Sequence, residues 1–119
     1  MKFILLVYND ESAGPHPGEP GFQELWDAYV ALDNEARAAG ALIDSQPFAP
    51  TTEAVTLTIR NGQTSTTPGP AVRSDAQLTG YYLLQCKDNA EAIGWAAKIP
   101  AATTGSVEVR AIFEGPDVT

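Results

Sequence analysis

Two residues of opposite charge, Glu108 and Arg110, stand two positions apart near the end of the chain. The residues around them alternate between apolar and polar, which is typical of a β-strand, so both side chains share one face. On that face they form either an ion pair that sets strand register or the polar handles of a ligand pocket. Both alternatives stay open, and Glu108 is also a candidate proton carrier.

The single histidine, His16, is the other candidate for acid–base catalysis. It lies in a loop over residues 9–21 that holds three prolines and three glycines. There it is either a solvated loop residue or a base that folds over the mouth of a pocket. The single cysteine, Cys86, lies in an apolar run and is expected to be a buried, inert thiol. We expect no metal and no cofactor, because zinc sites need several histidine or cysteine ligands.

Aromatic and basic residues complete the expected ligand-binding set, which is Tyr8, Arg73, Tyr81, Glu108 and Arg110. Arg73 belongs to a loop rich in glycine and proline within residues 67–86. This loop is too long for a plain connector, so we expect it to form the rim of a pocket. Either Tyr81 or its neighbour Tyr82 is expected to face that pocket.

Six strands and two helices are predicted to position these side chains. Apolar, alternating or Thr-rich runs predict strands at residues 2–8, 41–48, 54–60, 63–67, 80–86 and 105–114. Apolar residues at three- and four-residue steps predict a helix over residues 22–39, and Asp88 with Glu91 has the spacing of a capping box that starts a second helix. Asn61 and Gly62 predict a hairpin turn, with Val55, Leu57 and Ile59 facing inward.

This order of elements predicts an α+β, ferredoxin-like split βαβ fold, with two helices on one face of an antiparallel sheet and an inserted hairpin. The first strand is apolar on both sides: Phe3, Leu5 and Val7 point one way, and Ile4, Leu6 and Tyr8 the other. Leaving the second set in water would forgo roughly 1.5–3 kcal/mol per large side chain. We therefore expect a second copy to pack sheet to sheet, forming a dimeric α+β barrel around a cavity.

Length and charge limit the classes of partner. At 119 residues the chain is expected to be one domain, residues 1–119. Its net charge is −8 and its Lys and Arg residues are scattered, which argues against nucleic acid as a partner. The apolar N-terminal run is too short for a signal peptide or a membrane span, and the lone cysteine fits a reducing compartment. We expect a cytoplasmic protein whose partners are a second copy of itself and a small molecule, with no membrane partner.

Three stretches resemble, in order, the YCII-related proteins and specifically their DGPF-domain branch: MKFILLVYND, PGPAVRSDAQLTGYYLLQC and EAIGWAAKIPAATTGSVEVRAIFE. The resemblance spans nearly the whole chain. It implies a dimeric α+β-barrel fold in a small bacterial cytoplasmic protein, and most such relatives have no established reaction. The Asp-Gly-Pro-Phe motif of that branch reads Pro68-Gly69-Pro70-Ala71 here, so its acidic and aromatic residues are both absent.

Two functions stay open on the sequence. One is a homodimer that binds a small molecule in its barrel cavity without catalysis, in a binding or regulatory role; the absent motif acid and the single histidine favour it slightly. The alternative is an enzyme that uses general acid–base chemistry on a small organic substrate in the same cavity, with His16, Glu108 or a tyrosine as proton carrier. A dimer with a filled barrel and no pocket ranks third.

Overall fold

The structure, a computed structural model, describes residues 1–116. Its strands and helices are, in chain order, β1 (Lys2–Asn9), α1 (Phe22–Ala38), β2 (Leu42–Pro47), β3 (Val55–Arg60), β4 (Gln63–Pro68), β5 (Gln77–Gln85), α2 (Asn89–Ala96) and β6 (Ser106–Ala111). The expected single domain over residues 1–119 includes residues 117–119, which lie outside the described residues, and its bounds stay a prediction.

Four strands form one antiparallel sheet in the order β2-β5-β1-β6. The helix α1 connects β1 to β2, and α2 connects β5 to β6, so each crossover skips the strand that lies between its ends. This strand order confirms the predicted α+β, ferredoxin-like split βαβ fold.

Both helices begin where the local sequence predicts, at Phe22 and directly after Asp88. In α1, Leu32 and Ala36 of the apolar stripe are buried, and Gly40 follows the helix with a left-handed φ of 76°. In α2, the Asp88 carboxylate accepts a hydrogen bond of 2.9 Å from the backbone N–H of Glu91. That bond satisfies one of the free N–H groups of the first turn.

The core lies between the helices and one face of the sheet, which we call the covered face. Alternate residues of the two central strands, Phe3, Leu5, Val7, Tyr82 and Leu84, are buried there. Apolar residues of α2 and the following turn pack against them, namely Ala92, Ala96, Ile99 and Ala101. Because side chains alternate along a strand, the intervening residues must point to the other face of the sheet.

That other face, which we call the open face, is only partly shielded by the chain itself. Ile4, Leu6 and Tyr8 of β1 are partly exposed. Leu83 of β5 is partly exposed too, and Ile43 of β2 is 47% exposed. The molecule is correspondingly flat, with extents of 48 × 47 × 18 Å.

Two global measures show how far the chain departs from a compact shape. Its radius of gyration is 16.4 Å, whereas a compact domain of this length has about 13.5 Å. Its accessible surface is 8049 Å², whereas a folded monomer of this mass exposes about 6,200 Å². The excess is about 1,800 Å², in keeping with the flat shape of the molecule.

The strands β3 and β4 form a separate two-stranded sheet. Asn61 and Gly62 have φ values of 51° and 76°, which confirms the predicted tight turn. The prediction that the apolar row of β3 faces inward is wrong for the described chain: Val55 is 69% exposed, Leu57 58% and Ile59 57%. The row alternates as predicted, but the hairpin lies apart from the main sheet, and neither helix packs over it.

The last strand is shorter than predicted. Pairing with β1 runs from Ser106 to Ala111, where Ala111 pairs with Phe3 near the start of β1, and one further bond joins the Ile112 N–H to the Lys2 carbonyl. The residues after Ala111 are not part of the sheet. Phe113, expected on the strand, is therefore 82% exposed.

Candidate functional site

A cavity of about 710 Å³ lies between α1, the loop of residues 9–21 and the adjoining ends of β2 and β5; we call it the α1 cavity. Six of the ten aromatic residues of the chain line it, namely Phe22, Trp26, Tyr29, Phe48, Tyr81 and Tyr82. Its size and its aromatic lining are those of a small-molecule pocket.

The first turns of α1 supply one wall of this cavity. Phe22 and Trp26 stack on each other at 6.2 Å between ring centroids, and Trp26 is 47% exposed. Opposite them, Gly80 of β5 has no side chain, and a Cβ atom there would lie 2.8 Å from the Gln46 carbonyl oxygen. Glycine thus lets β2 approach β5 closely and leaves the space in front of the helix open.

A polar group lies at the inner end of the cavity. The Ser45 hydroxyl donates a hydrogen bond of 2.8 Å to Oδ2 of Asp33. The other carboxylate oxygen, Oδ1, is buried and has no hydrogen-bond partner within residues 1–116. A buried acceptor without a donor is costly, and the Tyr82 hydroxyl beside Asp33 is a donor that can offset this cost.

Two tyrosines lie beside Asp33. Tyr82 is 7% exposed, and burial raises the pKa of its hydroxyl well above the usual range, with the negative charge of Asp33 adding to the effect. Burial also raises the pKa of Tyr29, an effect that the backbone N–H of Ala101 opposes. Both hydroxyls therefore keep their protons at neutral pH and act as dipoles rather than charges.

The loop of residues 9–21 forms the mouth of the cavity and carries the predicted histidine. His16 Nδ1 lies 2.9 Å from Oε1 of Glu19, and Nε2 lies 2.6 Å from the Glu11 carbonyl oxygen. The Glu11 carbonyl first, and the Glu19 carboxylate second, raise the pKa of His16. Both ring nitrogens already face acceptors, which favours the protonated ring and fixes its orientation.

Hydrogen bonds accepted by two carboxylates anchor this loop. The Asp10 carboxylate accepts from the backbone N–H and the hydroxyl of Ser12, at 2.9 and 2.6 Å. The Glu11 carboxylate accepts from the backbone N–H of Thr51, at 3.0 Å, in the segment that follows β2. The bond between Glu11 and Thr51 ties the mouth to the opposite wall of the cavity.

Of the predicted site residues, Tyr81 and His16 line the α1 cavity. Tyr81 donates a hydrogen bond of 2.5 Å to Asp44, which raises the pKa of its hydroxyl, and its ring lies 5.9 Å from that of Phe48. Tyr8 lines a separate cleft of about 500 Å³ at the base of the hairpin. The chain therefore does not gather the predicted residues into one site.

The three remaining residues lie elsewhere. Arg73 donates a hydrogen bond of 2.8 Å to the Pro68 carbonyl and so bridges its own loop. Glu108 and Arg110 lie on β6 with 3.6 Å between carboxylate and guanidinium, and their side chains are 48% and 68% exposed. Their assignment as ligand-binding residues stays a prediction.

The sequence analysis overlooked Asp33, although a signal for it exists. Asp33 follows Leu32 and stands four residues after Tyr29, so it lies beside the apolar stripe of α1 rather than on the opposite, solvated side. An acidic residue in that position must either reach solvent or find a partner in the interior.

Three further candidates concern metals, the thiol and membranes. Among residues 1–116, no three His, Cys, Asp or Glu side chains are grouped so as to hold a metal ion. Burial raises the pKa of the Cys86 thiol, which favours its protonated, unreactive form. Neither helix within the described part of the chain has the length and apolar character to cross a membrane.

Comparison with known proteins identifies relatives of the whole chain. A family model described as the YCII-related domain matches residues 1–115. An uncharacterized protein of Rhizobium meliloti (strain 1021) is 33% identical over 112 residues, which are 92% of this chain and 90% of that protein. A 5-chloro-2-hydroxyhydroquinone dehydrochlorinase of Burkholderia phenoliruptrix AC1100, solved with 2,5-dihydroxybenzoquinone, aligns with a TM-score of 0.48 and 13% identity, over 97% of this chain and 96% of that one.

Proposed function

The chain belongs to the YCII-related family, and on that premise we propose that it is a homodimer that binds a small organic molecule in the α1 cavity. Its role is binding or regulation rather than catalysis. The observation that carries this proposal is an aromatic-lined cavity of about 710 Å³ whose lining includes the hydrogen-bonded, part-buried pair Asp33 and Ser45. Membership of the DGPF branch and a cytoplasmic location stay predictions.

The composition of the cavity supports a ligand-binding role. Pockets for small molecules are mostly apolar, with a few polar groups that fix the orientation of the ligand. Here the aromatic rings supply the apolar area, and Asp33, Ser45 and the tyrosine hydroxyls supply the polar groups. A ligand that covers an exposed aromatic ring such as that of Trp26 removes apolar surface from water, which favours binding.

The shape of the chain supports the second copy. The excess surface of about 1,800 Å² is more than the ~800 Å² that each partner buries in a standard interface. The open face offers Ile4, Leu6 and Leu83 as its apolar centre. Pairing through this face brings Glu108 and Arg110 to the seam, where the barrel cavity and their expected role in it stay predictions.

An enzyme is the second candidate, and one observation favours it: the His16–Glu19 pair lies at the cavity wall, in the geometry of a carboxylate-oriented histidine. Non-catalytic binding ranks first because both ring nitrogens of His16 already face protein oxygens. Acting as a base on a ligand would require Nε2 to leave the Glu11 carbonyl.

A fragment library screened by ligand-observed NMR tests the binding role, with Val30→Trp as the variant. Val30 lines the cavity and is 44% exposed, so the indole occupies the space that a ligand needs. The neighbouring Ala31 is exposed and lies outside the cavity lining, so Ala31→Trp is the matched control. We expect fragments whose affinity falls about tenfold or more in Val30→Trp and stays within about twofold in Ala31→Trp.

Equal binding to all three proteins would contradict the assignment of the cavity. Turnover of a bound molecule that falls about 100-fold in His16→Gln would instead favour the enzyme. In that outcome the cavity assignment stands and the non-catalytic role does not.

A further inference from the structure

Acidic side chains predominate around the α1 cavity. Three carboxylates line it, those of Asp10, Glu11 and Asp33, and no Lys or Arg is among its lining residues. His16 is the one lining residue that can carry a positive charge, and Glu19 beside it balances that charge. With three carboxylates against one histidine, which Glu19 balances, the lining has a net negative field.

Neutral donors hold all three carboxylates. Asp10 accepts from Ser12, Glu11 from the backbone of Thr51, and Asp33 from Ser45. The ion pairs within residues 1–116 are His16–Glu19, Lys98–Glu35 and Arg110–Glu108, so none of them includes a lining carboxylate. Hydrogen bonds from neutral groups satisfy lone pairs but leave the charge in place.

Aromatic rings next to a carboxylate that has no cationic partner form a combination that recognises organic cations. The face of an aromatic ring attracts a cation, most strongly at Trp and Tyr, and the attraction grows when the cation leaves water. Trp26, Tyr29 and Tyr82 line this cavity on the α1 side of the sheet. An anionic ligand meets the three carboxylates instead, and like charges brought together cost free energy.

We propose that the α1 cavity selects an organic cation: a molecule with an apolar, ring-sized body and an ammonium group that the carboxylates of the cavity lining, Asp33 among them, attract. This inference rests on the proposed binding function and names the chemical class of its ligand. Asp33 is the lining carboxylate that lies beside the ring of Tyr82. A neutral ligand leaves the negative field of the lining uncompensated, so charge is what separates a preferred ligand from a tolerated one.

Three probes of nearly equal size test the charge preference: 2-phenylethylammonium, 2-phenylethanol and phenylacetate. We expect the dissociation constant of the cation, measured by NMR titration of the wild-type protein at pH 7, to be about tenfold below that of the alcohol. Phenylacetate is expected to bind most weakly. This comparison needs no variant, so its outcome does not depend on how a substitution folds.

Asp33→Asn then locates the preference. Asn keeps the shape of the side chain and removes its charge, so we expect the cation and the alcohol to bind within about twofold of each other. Asp27→Asn is the matched control, because Asp27 lies on the same helix, is exposed and is absent from the cavity lining. The control should keep the tenfold preference.

Each other outcome overturns something specific. Equal binding of the three probes to the wild type, with loss of all three in Val30→Trp, would overturn the cation preference and leave the binding function standing. A preference that survives Asp33→Asn would overturn the role of Asp33. Failure of all three probes to bind would overturn the cation preference, and the fragment screen with Val30→Trp would then decide the binding function by itself.

Discussion

The two faces of the sheet are built from the same strands, yet the chain completes only one of them. On the covered face, Leu5 is fully buried and Leu84 is 1% exposed. One residue away on the open face, Leu6 and Leu83 are partly exposed. The apolar content of the central strands is therefore nearly symmetric across the sheet, whereas the helices that cover it are not.

This difference separates two tasks within the molecule. The covered face supplies the core, and at its margin, where α1 runs past the short strand β2, it leaves the α1 cavity. The open face supplies an apolar surface that the chain's own helices do not cover, which is the basis of the proposed pairing. The predictions that follow test whether the two faces differ as the structure indicates.

The largest effect is expected on the covered face. Leu5→Ala removes a fully buried side chain, and we expect the free energy of unfolding to fall by about 3 kcal/mol, measured by urea denaturation. The loss should be the same at low and high protein concentration, because the contacts of Leu5 lie within one chain. A loss that shrinks as the protein is concentrated would contradict this.

The adjacent residue should behave differently. Leu6→Asp places a charge on the open face, and we expect self-association to weaken by about 2 kcal/mol, roughly 30-fold, in sedimentation equilibrium. The secondary structure of the subunit, followed by circular dichroism, should be retained. Unchanged self-association would show that this face is not the interface.

A smaller effect is expected on the hairpin. Leu57 is 58% exposed, so Leu57→Thr should change the free energy of unfolding by about 0.5 kcal/mol or less. Thr keeps the β-propensity of the strand, which makes the change a test of burial alone. A loss above about 1.5 kcal/mol would show that a second copy covers the hairpin as well as the open face.

The smallest effect concerns the mouth of the α1 cavity. Because His16 is the single histidine, an NMR titration of its ring follows one group, and we expect a pKa above the usual 6.5. A raised pKa in the folded state means that the stabilisation is complete below the unfolded value and is lost as the pH rises through the folded value. Glu19→Gln should lower the pKa of His16. A titration midpoint at or below 6.5 in the wild type would contradict the two hydrogen bonds between the ring and its acceptors.

What the sequence could predict depends on how local the cause is. The strand β1, the Asn61–Gly62 turn and the Asp88 cap follow from patterns within a few residues, and the structure confirms all three. The end of β6 could not be predicted in this way, because it depends on the pairing of β6 with β1, about a hundred residues earlier in the chain. The exposure of the β3 row was equally out of reach, since alternation identifies an apolar side but not what covers it.

The candidate site was harder to predict for the same reason. Asp33 gains its meaning only when Ser45 and Tyr82, from two other elements, lie beside it. Tyr81 and His16 were predicted as site residues and do line the cavity, whereas Glu108 and Arg110 were expected in a barrel that requires a second copy. Spacing along the chain predicts which face a residue occupies, but not which cavity that face borders.

Sedimentation equilibrium of the wild-type protein at micromolar concentration tests the central claim most directly. The account predicts a species of twice the 12.6 kDa chain mass. Its interface should protect the amides next to Ile4 and Leu6 from hydrogen exchange more than in Leu6→Asp. A folded 12.6 kDa species that persists at the highest attainable concentration would contradict the account, because one chain would then be stable with its open face in water.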